Sequence, residues 1–398
     1  MPEMRLAGPR YKYPVSNAEL DRRLAAVQSA LRAAGLDGCI LQTTSTIFDS
    51  VVRYLIDRPT HGYGNTVLVP ASGAMTLINH GLDFDNADVP PSMRNVEKLI
   101  TKPYCQPFYC TDGITGDVVA RELQTRGWKR VGLTFPQLAS ADLVGTLKEK
   151  LPALEIVDFS AQFSRIKAVK SAEEWALVDR CIRAHEQLID CVPSLLRPGR
   201  MEYEVLADLE HASRYMGCDY IGNIAVGSAK SGGNTVFCQN FAAGRRIEMG
   251  DSVTVMIEVA GPGGIYGELA RTFCLGEPNA SLLKLYDEAL ACQKAIADAA
   301  KPGVTGKQLN DVFNAALASY GLPENGRFGG HSQGYDMMEA PAICPTEEMA
   351  LEEDMFFAIH PELFRDGEFS IACDNFRITK SGAERVTRTE QKIFALEF

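Results

Sequence analysis

The chain has 398 residues, 46% of them hydrophobic and 23% charged, with a formal net charge of −11. That length exceeds the roughly 250–300 residues at which single cores stop growing, so two domains are expected. The acidic balance argues against a nucleic-acid partner, which would need a basic face, and no run of about 18 apolar residues is present to span a membrane as a helix.

In chain order, "SNAELDRRLAAVQSALRAAG" comes first, with Leu20, Leu24, Val27 and Leu31 at helical spacing. Ser16 or Asn17 is its cap and Gly35 its stop. "DGCILQT" (37–43) reads as a buried strand. "NTVLVP" (65–70) and "AMTLINH" (74–80) read as a hairpin turning through Ala71, Ser72 and Gly73. A helix over 115–127, a strand over 130–135, a helix over 143–151 and a strand over 155–160 follow. The alternation predicts an α/β domain, residues 1–164. The first twenty residues lack an apolar signal region. The eleven cysteines are scattered with no C-x-x-C pair, as in a reducing compartment. A cytoplasmic protein is expected.

"RIKAVKSAEEW" opens the second domain, residues 165–398, and Ser171 with Glu174 forms a capping box. This half contains a repeat. Pro198-Gly199, a helix and Gly217 recur 104 residues later as Pro302-Gly303, a helix and Gly321. The helices over 177–196 and 281–300, and Ser228 and Ser332, keep the same offset. A register held this long implies a duplicated half, two copies packing about a pseudo-twofold axis with a site between them.

Five segments carry a resemblance: "IKAVKSAEEW", "RPGRMEYE", "MGDSVTVMIEVAGPGGIYGELARTF" (249–273), "FGGHSQGYDMMEAP" (328–341) and "ITKSGAERVT". The chain resembles the pita-bread family of creatinase, prolidase, aminopeptidase P and methionine aminopeptidase. Its two-domain layout is similar to the creatinase and prolidase branch. The resemblance implies an α/β (α+β) fold, with a creatinase-type N-terminal domain before a duplicated pita-bread domain, and a homodimer.

The family's metalloenzymes present two aspartates, a histidine and two glutamates to a pair of ions. Here Glu258 and Glu268 stand at the aspartates, His331 at the histidine, and His360 and Cys373 at the glutamates. Imidazole and thiol bridge hard cations poorly, so a Mg²⁺ or Mn²⁺ pair is not expected. The reading preferred on this logic has no cofactor. The variant of it is a single Zn²⁺ or Fe²⁺ on Glu258, Glu268, His331 and His360. Creatinase has also lost its metals, yet its catalytic histidine is Gln239 here, its catalytic glutamate Ala270 and a substrate-binding arginine Met338.

His331 sits among Gly329, Gly330 and Gly334, and His360 ends the apolar run "DMFFAIH". Both are expected to share acid–base work, with His331 poised near neutrality between burial and neighbouring carboxylates. Glu258 and Glu268 would activate water or hold a cationic group; the bland reading of Glu258 is a salt bridge to a structural Arg271. Gln239, Asn240, Glu339, Cys373 and Asp374 are expected at the substrate, Asp374 also as the orienter of a histidine and Glu339 alternatively as an internal anchor. Arg58, His61 and Tyr63 lie in a stretch that reaches the partner's site in creatinase-like dimers. The leading expectation is a creatinase-like hydrolase cleaving a C–N bond in a small polar amine or amidine. The alternatives are a metal-dependent Xaa-Pro peptidase-like hydrolase or lyase, and a non-catalytic binding module.

Overall fold

The computed structural model describes residues 12–43, 50–58, 63–105, 108–230, 233 and 244–398. The chain forms two compact units, Met1–Lys167 and Ala168–Phe398. Among the described residues, no helix is long and apolar enough to cross a membrane.

The first unit is built on a seven-stranded mixed sheet. Its order is Phe84–Ala87, Val96–Lys102, Met75–His80, Asn65–Pro70, Gly38–Thr43, Arg130–Leu133 and Glu155–Asp158. Gly38–Thr43 is buried along its whole length, pairing antiparallel with Asn65–Pro70 and parallel with Arg130–Leu133. The Asn65–Pro70 and Met75–His80 hairpin forms in the expected place. Ser16 caps the helix Asn17–Ala33 by accepting from the Glu19 N–H. Three elements had no clear sequence signal. Phe84–Ala87 is a polar, mostly exposed edge strand, Val96–Lys102 interleaves charges, and the helix Ser50–Ile56 is buried on all sides, so it lacks an amphipathic stripe. The strand expected over 155–160 stops at Asp158. Its carboxylate accepts the Ser160 N–H and hydroxyl, at 2.8 and 2.5 Å, and a separate helix, Ser160–Ala168, begins there.

Among the described residues, the second unit contains two larger sheets with a pair of helices each, and a two-stranded ribbon of Glu362–Arg365 and Glu368–Ile371. Helices Ala172–Leu195 and Glu202–Tyr215 cover the sheet ordered Phe394–Leu396, Leu269–Leu275, Asp251–Ala260 and Tyr220–Lys230. Helices Ala280–Ala299 and Gly306–Ser319 cover the sheet Glu339–Ala342, Gly330–Ser332, Phe356–Ile359, Asp374–Ile378 and Ala383–Arg385. Ser171 and Glu174 exchange both bonds of the capping box. The apolar stripes are buried: Leu188, Val192 and Leu209 against Val255 and Phe273, and Ile296, Leu309 and Phe313 against Phe357 and Ile378. Each such side chain contributes about 1.5–3 kcal/mol relative to exposure.

The duplication extends to individual hydrogen bonds. The Gly199 N–H donates to Ile247 O (2.8 Å), and the Gly303 N–H donates to Leu351 O (2.9 Å). Ile247 N returns to Arg200 O as Leu351 N returns to Val304 O, and the bridge Met201–Arg246 recurs as Thr305–Ala350. Every pair is related by the 104-residue offset. Gly199 and Gly303 both take positive φ, 94° and 91°, which explains the Pro-Gly landmark. The two sheets meet where Ala270 bridges Cys373.

Candidate active site

Five of the expected residues lie at this junction. Glu258 is carried by Asp251–Ala260, and Glu268 precedes Leu269–Leu275. His331 is central in Gly330–Ser332, His360 follows Phe356–Ile359, and Cys373 precedes Asp374–Ile378. Pairing of Gly330 with Ile359 and of His331 with Ala358 brings the two histidines together. Their ring centroids are 5.1 Å apart. His331 Nε2 lies 3.5 Å from Glu268 Oε2, and His360 Nε2 lies 3.9 Å from the same oxygen. The Cys373 thiol donates to the Glu268 carboxylate.

Glu258 is held by amides that sequence reasoning did not single out. Gln333 Nε2 donates to its Oε1 (3.1 Å) and Asn223 Nδ2 faces its Oε2 (3.4 Å). Asn375 Nδ2 donates to Gln333 Oε1 (3.1 Å), which fixes which end of that amide faces Glu258. Asn375 Oδ1 in turn accepts the Glu268 N–H (3.0 Å). Gln333, two residues after His331 and inside the same Gly-flanked motif, was the one with a signal.

The electrostatics follow from burial. Glu258 and Glu268 are 5% and 4% exposed. Burial, and for Glu258 also the nearby Glu268 charge, raises both carboxyls above the usual carboxylate range. For His331 burial wins over the attraction of Glu268, and its pKa falls to about 4. The expectation of a ring poised near neutrality is therefore corrected: it is neutral at pH 7. His360 is lowered by burial as well. His331 Nδ1 is 3.1 Å from Ser332 O, an oxygen that only accepts, so the ring proton sits on Nδ1 and Nε2 presents a lone pair.

Other expectations change. Arg271 does not pair with Glu258; its guanidinium donates to Asp374 Oδ1 (2.7 Å) and to four backbone carbonyls. Asp374 is fully buried and orients no histidine, because its Oδ2 accepts from Gln391 and Gln293. Glu339 is an internal anchor, paired at 2.8 Å with Lys170 and 8% exposed. Cys373, expected at the substrate, is fully buried with its thiol pushed well up, and it donates to Glu268. In the first unit, Arg58 is half-buried and Tyr63 stacks on His80 with centroids 4.1 Å apart. His61, Gln239 and Asn240 lie outside the described residues.

The sequence pattern of metallopeptidase family M24 matches residues 176–380, more than half of the chain. The chain belongs to that family. Among its relatives is the Xaa-Pro dipeptidase of Pyrococcus furiosus, 26% identical over 261 residues, which cover 64% of this chain and 73% of that protein. A probable dipeptidase, PepE, of Mycobacterium tuberculosis is 26% identical over 278 residues, 67% of this chain and 73% of its own. The crystal structure of dipeptidase PepE from Mycobacterium ulcerans superposes with a TM-score of 0.79 over 97% of this chain and 100% of that one, at 24% identity. The prolidase from Pyrococcus horikoshii OT3 gives 0.76 over 93% and 99%, at 20% identity. These likenesses show the fold expected from the resemblance. The expectation of a hydrolase acting on a C–N bond agrees with membership of a peptidase family.

Proposed function

We propose that this M24 member hydrolyses the peptide bond of short, Xaa-Pro-like peptides in the cleft lined by Glu258, Glu268, His331 and His360. The observation that carries the reading is the buried carboxyl pair beside two neutral imidazoles. Four such groups cost stability unless they work, which disfavours an inert binding module. The named relatives are dipeptidases, which favours the peptidase alternative over a creatinase-like reaction on a small amidine. Net hydrolysis requires a proton to leave the attacking water and to reach the departing amine as the C–N bond breaks. Glu258 suits both transfers: its raised affinity for protons lets it accept from water and return the proton to nitrogen. The Gln333 and Asn223 amides hold its carboxylate in place. The Glu268, His331 and His360 side faces the carbonyl oxygen and the water.

The donor set does not fit a two-ion centre, since His360 and Cys373 replace two carboxylates, so any metal is limited to one ion. The family resemblance supports a homodimer in the cytoplasm. The test is product analysis by mass spectrometry over a panel of Xaa-Pro dipeptides, other dipeptides, and amidino and ureido acids, with and without added Zn²⁺. Release of free proline is expected. Turnover confined to the amidines, or absent from every member of the panel, would overturn the reading.

A further inference from the structure

Three side-chain atoms converge near the junction of the two sheets. His331 Nε2 is a lone pair, because Nδ1 donates to Ser332 O. It faces Glu268 Oε2 at 3.5 Å, and His360 Nε2 faces that same oxygen at 3.9 Å. Both ring nitrogens of His360 are buried, and among the described residues neither has a hydrogen-bond partner. Among the described residues, Glu268, His331 and His360 are the group whose ligand atoms all lie within 4.8 Å of one another. The His331 Nε2 lone pair faces a carboxyl oxygen with no donor between them among the described residues, and buried polar atoms left unsatisfied are costly. A proton serves one such contact, whereas a cation would draw all three atoms.

We propose that Glu268, His331 and His360 form a mononuclear site for one borderline divalent transition ion, in place of a two-ion centre. Two imidazoles and one carboxylate are the donors that Zn²⁺ and Fe²⁺ take, with positions left open for water or substrate. Mg²⁺ and Ca²⁺ prefer oxygen sets that this cleft does not offer. The proposed set leaves out Glu258, which the four-residue set expected from the sequence includes: it is not in the group whose ligand atoms lie within 4.8 Å of one another, and its oxygens face the Gln333 and Asn223 amide donors. The Cys373 thiol donates to Glu268, a contact that orients the carboxylate from outside the ligand set. An ion bound here would supply Lewis-acid polarisation of a carbonyl and a more acidic water.

The inference rests on the hydrolase reading only for what the ion would do; its test uses no substrate. Full-length protein is stripped with chelator and titrated with Zn²⁺ by calorimetry and with Co²⁺ by visible absorption. One ion per chain is expected, and its binding should raise the melting temperature. His360→Ala and His331→Ala should each bind about tenfold more weakly or worse, given the usual effect of disturbing a ligand set. A large excess of Mg²⁺ should not compete. His360→Ala, at a strand end, guards against misfolding of His331→Ala, with the circular dichroism spectrum as the check. No saturable binding, two ions per chain, or one ion bound equally well by both variants would overturn the site. Dipeptide turnover measured without metal keeps such a failure separate from a failure of the hydrolase reading.

Discussion

Replacing Glu258 by glutamine separates chemistry from structure, because the surrounding amides can absorb the change. Gln333 Nε2 would still donate to the carbonyl end of the new side chain, at the place of Oε1. Gln333 itself cannot turn over, since its Oε1 accepts from Asn375. The new NH₂ group would face Asn223 Nδ2, donor against donor, at the present 3.4 Å. Asn223 Oδ1 is buried and has no partner among the described residues, so flipping that amide turns the clash into a hydrogen bond. The variant should therefore fold with a stability change of about 1 kcal/mol or less, one neutral hydrogen bond replacing another. It also loses a carboxyl whose ionisation burial opposes. A glutamine takes up no proton, so kcat should fall by about 10²–10⁴, the scale of a lost general acid–base group. KM should change little if the lost contact is made in the transition state. Steady-state kinetics on the best dipeptide, with urea unfolding of both proteins, is the assay. A kcat within threefold of wild type would refute the role of Glu258. A loss of several kcal/mol would refute the account of Asn223.

Lys170→Met should cost about 3–5 kcal/mol in urea unfolding, because it leaves the Glu339 charge buried without its 2.8 Å partner; the double variant with Glu339→Gln should recover part of that. Burial lowers the His185 pKa from 6.5 to about 4. The unfolded chain then binds protons that this native ring refuses, so its contribution to stability falls as pH drops from 6.5 to about 4, by up to about 3 kcal/mol. Glu258 and Glu268 act in the opposite sense, so the measurement is the difference in pH dependence between wild type and His185→Gln, whose amide can still donate to Val259 O. Sedimentation should give a dimer mass, and mixing Arg58→Ala with His331→Ala chains should restore some activity. Proven chain exchange with no recovery would mean that the 58–63 stretch does not act across the dimer.

What the sequence made legible was local or repeated. The Ser171–Glu174 box needs only four residues, and the 104-residue register survives because each copy must bury the same helix stripes and close the same Pro-Gly turn. The family motif gathered Glu258, Glu268, His331 and His360, which strands or strand ends of the two sheets carry. The partner of Arg271 was not legible. Glu258 and Asp374 both lie on buried strands, and only the pairing of strands decides that Arg271 meets Asp374. Nor was the ionisation of His331. Spacing shows that carboxylates are near, but not that complete burial outweighs them. The Asn223, Gln333 and Asn375 relay was missed because amides have no periodic pattern and gain a role only from what they face.

One of the glycines beside His331 sets the spacing between two strands. A Cβ on Gly330 would lie 2.4 Å from Ala358 O, a backbone atom of the neighbouring strand, and 3.0 Å from the Ile359 Cα. Gly330 thus sets how closely the strand of His331 lies to the strand that ends at His360. Relieving the contact to an ordinary separation of about 3.4 Å requires roughly 1 Å of movement between the two strands, and shifts of that size cost about 10²-fold in rate when they misplace reacting groups. Gly330→Ala should therefore lower kcat about 10²-fold and stability by about 1–3 kcal/mol, the usual range for overpacking. Gly145 is the control: it lies in the helix Ala141–Lys150, where a Cβ meets open space, and Gly145→Ala should leave kcat unchanged and add about 0.5–1 kcal/mol. Metal titration distinguishes the cause, because displacement of His331 from His360 should weaken ion binding together with turnover. A Gly330→Ala protein with normal rate and normal ion affinity would show that the spacing of the two strands does not set the geometry of the histidine pair.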